Sequence, residues 1–506
     1  MATMKIPENG VRVRMYRIGH GDCFLIGMPR KDSDVPYYIL IDCGYKPGSQ
    51  NFLPNKDVKK VIDHIAATTN RTLDLVVVTH EHQDHVNAFW KKRSPFFKNI
   101  DIKEAWFAWT ESPTDRLAKK IRKKHKDQLL GLVEGRRLLG LSLEADNPTL
   151  KTIDNLLSME FGGDKEEAFN HKILSAAAKD PSKSRNKQSM KLIKDKAQKN
   201  KGIRYLNPGD YVELKETEGI GAYVLGPPRR EKLLLDEDPI GDEAFPSQNG
   251  HHLSFNAAVL AGDSAACPFR REYRVEKNSA FGHGFFKKWY GSDTDKHEDE
   301  DSDNVEVPPN ASWRRIDDEW LYSTENLALK INRGVNNTSL VLGFELPESK
   351  KVLLFAADAQ RGNWISWDDN EWKRGDKTIT AKDILGRTVL YKVGHHASHN
   401  ATLKGTINDN YPNLGWMAQG KYAQEFTAMI TAVNEWAMTK NSPPWRHPLP
   451  SIKSALLEKA QGRVFQTDED VVKKTDNANI SDPEWQKFLD RIDINDLYFD
   501  LDIIDE

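Results

Sequence analysis

The chain has 506 residues, of which 29% are charged and 38% hydrophobic, and its formal net charge is −2. This length exceeds a single compact core, so we expect one large domain with elaborations. No stretch approaches the roughly twenty apolar residues of a membrane span, the N-terminus lacks an apolar signal region, and the few cysteines cannot form a disulfide framework. These features predict a cytoplasmic protein without membrane insertion.

The first chemically informative segment follows an apolar, β-branched run. Residues 73–78 read LDLVVV, and residues 79–85 read THEHQDH. An apolar run of this length predicts a strand buried on both faces, and residues just beyond its end emerge into a crevice. Neutral imidazoles and carboxylates suit divalent zinc, manganese or iron. We therefore predict a metal site whose ligands are His80, His82, Asp84 and His85.

A long, strongly basic region, residues 110–204, follows and is predicted to be mainly helical. Residues 116–137 hold nine Lys or Arg against two acids, and residues 179–204 hold ten against two. Such clusters match the electrostatic footprint of nucleic-acid binders, although a basic helix face is often only a solvated face. The side chains that we expect to contact phosphates are Lys119, Lys120, Arg122, Lys123 and Lys124.

A second insertion, residues 232–326, mixes aromatic with basic side chains. The aromatic residues could form the core of a cap, or they could stack bases beside phosphates. Within it, residues 293–306 hold eight acids against one lysine, which predicts a solvated acidic loop. This composition indicates an elaboration of the main domain.

Two further apolar runs end in residues that commonly bind metals. Residues 351–357 lead into Asp358, and residues 388–394 lead into His395 and His396, so both runs predict strands that end in polar side chains. Closer to the C-terminus, residues 481–484 read SDPE, a helix-capping pattern with proline in the first turn. The last apolar residues of the acidic C-terminal segment could dock on this protein's own surface, on a partner or on a second copy.

The segment HEHQDH, residues 80–85, resembles the signature of the metallo-β-lactamase fold family. Four further segments resemble the hydrolase domain of ComEC-type DNA-uptake proteins: GHGDCFLI at 19–26, YILIDCG at 38–44, NNTSLVL at 336–342 and KVGHHAS at 392–398. The resemblance implies an α/β (α+β) fold, built as a four-layer αββα sandwich. We therefore assign residues 1–470 to one hydrolase domain, interrupted by 110–204 and 232–326, and residues 471–506 to an acidic tail.

The same resemblance implies ligands for one or two divalent ions. In that family the two spaced histidines bind one metal, the Asp-His pair binds a second, a later aspartate bridges both, and a late histidine completes the second site. Asp358 matches the bridging residue, and we favour His395 over His396 because it comes first after the strand. Asn337 or Asn336 stands where a third histidine would complete the first site. Zn²⁺ or Mn²⁺ is the expected metal, with Mg²⁺ as an alternative.

The resemblance further implies a nuclease or phosphodiesterase. The metal would lower the pKa of a bound water and polarise the phosphoryl oxygen under attack. Asp84 would bind metal and orient the nucleophile. His447, His399 or Lys392 would protonate the leaving group, with His447 favoured because its His-Pro context matches the resemblance. We predict cleavage of nucleic acid, with DNA favoured. The alternatives are hydrolysis of a small phosphoester, cyclic nucleotide or thioester, and a non-catalytic interaction protein with a vestigial metal site.

Overall fold

The computed structural model describes residues 4–90, 99–142, 147–162, 183–246, 331, 334–440, 444–476 and 478–506. Most of the second insertion, with its acidic loop, therefore lies outside the described residues. The described residues belong to one compact unit, which is built from Met1–Pro246 and Glu325–Glu506.

The strands form two large sheets and one hairpin. In chain order they are β1 (Gly10–Tyr16), β2 (Phe24–Arg30), β3 (Ser33–Ile41), β4 (Thr72–Val78), β5 (Asp101–Ala108), β6 (Gly202–Leu206), β7 (Tyr211–Glu213), β8 (Gly221–Gly226), β9 (Val341–Glu345), β10 (Val352–Phe355), β11 (Glu371–Arg374), β12 (Lys377–Thr380), β13 (Thr388–Lys392), β14 (Thr427–Ile430), β15 (Val464–Gln466), β16 (Ile492–Ile494) and β17 (Tyr498–Ile504).

Both large sheets are mixed, with a parallel half and an antiparallel half. The first has the order β16-β17-β1-β2-β3-β4-β5-β6, and its strands from β3 to β6 run parallel. The second has the order β15-β14-β13-β10-β9-β8-β7, and its strands β10, β13, β14 and β15 run parallel. Strands β11 and β12 pair separately as the hairpin.

The helices lie between the strands in sequence. They are α1 (Val58–Thr68), α2 (Gln83–Val86), α3 (Arg116–Ser142), α4 (Pro148–Phe161), α5 (Arg185–Gln198), α6 (Glu231–Leu234), α7 (Arg361–Ile365), α8 (Ala381–Gly386), α9 (Asn434–Met438), α10 (Pro450–Lys459) and α11 (Asp482–Leu489). No helix built from the described residues has both the length and the apolar composition needed to cross a membrane.

The core consists of three layers of apolar side chains. One buried cluster combines the inner faces of both sheets, which therefore pack face to face. A second cluster joins the outer face of the first sheet to α1 and α5, and a third joins the outer face of the second sheet to α8 and α10. The protein is thus a mixed α/β fold in which two sheets are enclosed by helices on both outer faces.

Strand β4 shows why the apolar run at 73–78 leads to a site. Leu75 and Val77 point into the cluster between the sheets, whereas Val76 and Val78 point into the cluster beneath the helices. Both faces of the strand are buried, as the sequence predicted. The polar residues after Val78 therefore emerge at the edge of a fully covered sheet.

The basic region 110–204 is a helical crossover from β5 to the parallel strand β6. Its described part contains the helices α3, α4 and α5. Helix α5 packs on β5 and contributes Ile193 to the core beneath the first sheet. The region is therefore integral to the sheet's connectivity as well as an elaboration.

The C-terminal segment belongs to the first sheet. Strand β17 pairs antiparallel with β1 from Gly10 opposite Ile504 to Tyr16 opposite Tyr498. Its side chains Phe499, Leu501 and Ile503 are buried between the two sheets. The structure therefore places the chain end inside the domain that we expected to end at residue 470, and these apolar side chains are not free to bind a partner.

Two polar features fasten this segment. Arg14 donates two hydrogen bonds, of 2.7 and 2.6 Å, to the carboxylate of Asp500, and the paired geometry is the strong form of such a contact. Helix α11 begins with the predicted capping box, in which Ser481 and Glu484 satisfy each other's backbone N–H groups.

Candidate metal centre

The candidate site lies at the carboxyl ends of parallel strands, where open α/β sheets commonly bind ligands. Residues following β4, β10 and β13 meet there as two groups of buried ligand atoms, each with all its atoms within 4.8 Å of one another. Asp358 belongs to both groups. The first ligand group is His80, His82 and Asp358, and the second ligand group is Asp84, His85, Asp358 and His396.

Backbone contacts hold the loop that carries four of these side chains. The N–H of Asp22 donates to the carbonyl of Asp84 at 3.0 Å, and the N–H of Cys43 donates to the carbonyl of His85 at 2.8 Å. A Cβ atom on Gly44 would lie 2.4 Å from the backbone of Asp84 and of His85, so only glycine fits. The segments at 19–26 and 38–44 thus form the cradle of the HEHQDH loop.

The first ligand group has the geometry of two nitrogens on one ion. His80 Nε2 lies 3.1 Å from His82 Nδ1. Two nitrogens that each bind tetrahedral zinc at 2.0–2.1 Å lie about 3.3 Å apart. The separation therefore fits a shared ion that binds Nε2 of His80 and Nδ1 of His82.

A carboxylate from the basic region orients His82. Its second nitrogen, Nε2, lies 3.2 Å from Glu160 Oε1 on α4, and the other carboxylate oxygen lies 3.3 Å from His125 Nε2 on α3. Burial opposes the charge of Glu160, but His125 and His82 hold the pKa of its carboxyl well below its usual range. An ionised Glu160 accepts the Nε2 proton of His82 and leaves Nδ1 with a lone pair for metal.

The second ligand group is oriented by groups of the two sheets. His85 Nδ1 lies 2.8 Å from Asp42 Oδ2, and Asp42 also accepts hydrogen bonds from Thr79. His396 Nδ1 lies 2.9 Å from the carbonyl oxygen of Thr431. Both histidines therefore direct Nε2 towards the carboxylates of the group, His396 to within 3.1 Å of Asp84 Oδ2.

Several buried polar atoms of the two groups lack a hydrogen-bond partner among the described residues. Asp84 Oδ1, His85 Nε2 and both carboxylate oxygens of Asp358 make no hydrogen bond in the described part of the chain. Ion pairs offset this in part, since Lys46 Nζ lies 3.1 Å from Asp84 Oδ1 and His85 Nε2 lies 3.3 Å from Asp358 Oδ1. Buried polar atoms almost always make hydrogen bonds, and a buried carboxylate oxygen without one is costly. Divalent cations would satisfy all four atoms, so the residues fit one or two such ions.

Two buried lysines border the site. Lys46 Nζ lies 3.1 Å from Asp84 Oδ1, and burial lowers the pKa of this lysine. Lys392 Nζ lies 2.5 Å from Asp22 Oδ2 and donates to the carbonyl of Ala357 at 3.0 Å. Asp22 lies close to Asp42 and His85, but its ion pair with Lys392 indicates an outer support rather than a third metal site.

The structure brings His396, and not the favoured His395, into the second ligand group. The reason is that the left-handed turn at these residues, with φ of 39° and 54°, sends the two rings in different directions. His395 Nε2 lies beside the first group instead, 3.9 Å from Asp358 Oδ2 and 3.4 Å from Asn336 Nδ2. Its side chain is 14% exposed, whereas that of His396 is 2% exposed.

Asn337 does not face the ligands. Its side-chain oxygen accepts from the N–H groups of Gln360 and Asn363, and its amide donates to the carbonyl of Asp236. These hydrogen bonds connect the loop of Asn337 to the segments that contain Gln360 and Asp236. Asn336 is the residue beside His395, and within the described chain its buried Oδ1 makes no hydrogen bond.

The two histidines proposed as proton donors lie in different places. His447 Nδ1 lies 3.3 Å from His20 Nε2, and its ring centroid lies 5.8 Å from that of His395. His399 lies outside both ligand groups, with Nε2 3.1 Å from Asp238 Oδ1. His447 is therefore the candidate histidine that borders the site.

The basic side chains of α3 have different surroundings. Arg122 donates to the backbone carbonyls of Thr110 and Ser112, and Lys120 pairs with Glu231 at 2.6 Å. Arg122 therefore stabilises the segment that leads into α3. The side chains of Lys119, Lys123 and Lys124 are exposed.

Sequence reasoning missed several residues around the ligands. Asp22 and Asp42 lie within the segments at 19–26 and 38–44, and Lys46 follows soon after, so a signal for them existed. Glu160 and His125 lie in helices with no motif, so only the folded structure reveals them.

Comparisons of this chain with protein-family models and with curated protein sequences gave no match. The chemistry assigned to the site therefore depends on its geometry.

Proposed function

We propose that this protein is a metal-dependent phosphodiesterase of the metallo-β-lactamase fold that cleaves nucleic acid, with DNA as the favoured substrate. The observation that carries the proposal is the pair of buried His/Asp groups that share Asp358. Paired sites with a common carboxylate suit hydrolysis of phosphodiesters, because two ions can stabilise both the attacking and the leaving oxygen.

The order of the ligands along the chain supports the family assignment. A His-x-His-x-Asp-His loop follows β4, an aspartate follows β10 and a histidine follows β13, as the family pattern requires. The packing of two sheets between helices also agrees with that fold.

The donor atoms favour Zn²⁺ or Mn²⁺ over Mg²⁺, because four of the six side chains are imidazoles. When bound, these ions supply an activated water at neutral pH and stabilise charge on the phosphoryl group. His80, His82 and Asp358 would hold one ion, and Asp84, His85, Asp358 and His396 would hold the other.

Residues of the chain supply the remaining functions. Burial alone would raise the pKa of Asp84, but Lys46 and His396 hold it well below its usual range. Asp84 therefore stays ionised at neutral pH and would accept a hydrogen bond from the attacking water. Burial lowers the pKa of His447, so this residue needs the charge of a bound phosphate to carry a proton to the leaving oxygen.

The basic crossover supports a polyanionic substrate. Glu160 on α4 joins this region to His82, and His125 on α3 pairs with Glu160, so the exposed lysines of α3 lie on a helix linked to the site through α4. A second candidate, hydrolysis of a small phosphoester or cyclic nucleotide, is favoured by a cavity of about 650 Å³ that Glu81 and Glu160 help to line. Its size matches that of small-molecule pockets.

The test is cleavage of labelled single- and double-stranded DNA and RNA with Mn²⁺, Zn²⁺ or Mg²⁺. We expect metal-dependent cleavage by the wild type and by the control His399→Ala, and none by the double variant His82→Ala, Asp84→Asn. Equal cleavage by the double variant, or no metal-dependent cleavage of any substrate by the wild type, would contradict the proposal.

A further inference from the structure

A cavity of about 650 Å³ lies beside the basic crossover, outside the ligand groups. It is bordered by α3, α4, α5 and α6 and by the segment that contains residues 334–338. Its apolar wall is formed by Ile121, Leu129, Phe161, Leu234, Leu235 and Val335.

The cavity also carries an excess of cationic side chains. Lys187 pairs with Glu81, and Lys194 pairs with Glu111 at 3.0 Å, so these four charges offset one another. Lys123 and Lys126, however, are exposed and form no ion pair with the acids of the described residues. They leave uncompensated positive charge at the rim of an apolar space.

The cavity neighbours the first ligand group through Glu160, and none of the ligands is among its lining residues. Glu160, which lines it, touches His82 at 3.2 Å, and Glu81 precedes His82 in the chain. Val335 and Thr338 also line the cavity, and they lie close in sequence to Asn336, which is beside His395. A substrate that reaches the ligands from this side would leave part of itself in the cavity.

We infer that this cavity binds one nucleoside of a phosphodiester substrate, while Lys123 and Lys126 contact the next phosphate. The inference rests on the proposed function and names the part of the substrate that is recognised. The apolar wall with Phe161 can cover the faces of a base, and Gln128 and Thr338 offer polar atoms to its edge. A purely aliphatic group would make no use of the Gln128 amide or of the acceptor capacity that Thr338 keeps while it donates to the carbonyl of Val335.

Nucleotide binding can be tested separately from catalysis. The four nucleoside 5′-monophosphates would be titrated into the protein, with and without Mn²⁺, by calorimetry. Leu129→Trp fills the cavity and should weaken binding at least tenfold, whereas Leu130→Trp, on a neighbouring residue that does not line it, should change binding less than about twofold.

Charge reversal tests the rim. The double variant Lys123→Glu, Lys126→Glu should weaken binding about tenfold at low salt, and the loss should shrink as salt is added. Lys119→Glu is the matched control, because Lys119 is exposed on the same helix but does not line the cavity. Equal losses in the control would show a general charge effect and overturn the inference.

Hydrolysis of bis(p-nitrophenyl) phosphate separates this inference from the proposed function. Leu130→Trp should keep both this activity and nucleotide binding, whereas Leu129→Trp should lose nucleotide binding. If the wild type hydrolyses the small ester but binds no nucleotide, or prefers an alkyl phosphate to every nucleotide, the inference fails and the function stands. If nucleotides bind in the cavity but no phosphodiester is hydrolysed, the function fails and the binding site stands.

Discussion

The two ligand groups differ in what supports them. The second group is oriented by Asp42 and Thr431, which follow the core strands β3 and β14. The first group is oriented by Glu160, which comes from a helix of the crossover between β5 and β6. One group is therefore built by the folding of the sheets, and the other needs the crossover helices in place.

This difference predicts unequal affinities for metal. The second group has two histidines and two carboxylates, whereas the first has two histidines and a shared carboxylate, with Asn336 and His395 beside it. Fewer strong ligands and a support on a separate element both weaken a metal site. We expect the second group to bind metal tightly and the first to bind it more weakly. The affinity of the first group should depend on how firmly the crossover helices pack in place.

The largest effect should follow from Asp358→Asn, because this change removes the ligand that both groups share. Loss of both ions would remove several kcal/mol of transition-state stabilisation, which corresponds to roughly a 1,000-fold or larger fall in phosphodiesterase activity. Activity on bis(p-nitrophenyl) phosphate measures the loss. Asp368→Asn, at an exposed position, is the control and should retain activity.

Variants of His395 and His396 test the two ligand groups separately. His396→Ala should lose the tightly bound ion, because His396 Nε2 belongs to the second group. His395→Ala should keep that ion, since His395 lies beside the first group. Metal content after dialysis against metal-free buffer measures both. The assignment would be reversed if His395→Ala, and not His396→Ala, lost the ion.

Glu160→Gln should weaken the first site alone. Loss of an outer hydrogen-bond partner of a metal-binding histidine costs roughly 10–100-fold in metal affinity. Titration with Mn²⁺ should show this loss in the weaker site and little change in the tighter one.

Asp154→Asn provides the control for Glu160→Gln. Asp154 on α4 pairs with Arg136 on α3 at 2.7 Å, so its change disturbs the same helices without touching His82. Equal loss of metal affinity in both variants would mean that Glu160 acts only through helix packing.

The smallest effect concerns the attachment of the crossover to the sheet. Burial alone would raise the pKa of Glu111, but Lys194 and Lys187 lower it to about 2. Since the unfolded pKa is near 4.5, the stabilisation is fully present above that pH and is lost as pH falls through about 2.

Glu111→Gln should therefore lower unfolding stability by about 1–3 kcal/mol at pH 7 and by much less at pH 2. Urea unfolding at both pH values measures the difference. An equal loss at the two pH values would contradict the charge-based account.

Much of the site could be predicted because its residues follow strands with strong apolar patterns. The run at 73–78 and the run before Asp358 both place polar residues at strand ends. Five of the six predicted ligands meet there, together with His396 in place of the favoured His395. The choice between His395 and His396 depends on backbone φ angles, which a pattern of residue types does not encode.

Other features depend on contacts between distant parts of the chain. Glu160 lies 78 positions from His82, in a helix whose sequence carries no motif that points to the site. Strand β17 carries the acidic residues Asp500 and Asp502. Arg14 and Arg12 on the neighbouring strand β1 form ion pairs with them. The acidic pattern therefore suggested a separate tail, although the alternating apolar side chains belong in the core.

The most direct test of the account is a calorimetric titration of the metal-free protein with Mn²⁺ or Zn²⁺. We expect two ions per chain that bind with clearly different affinities. Glu160→Gln should reduce the affinity of the weaker site only. A single ion, no ion, or two ions that Glu160→Gln weakens equally would contradict the assignment of two unequal groups that share Asp358.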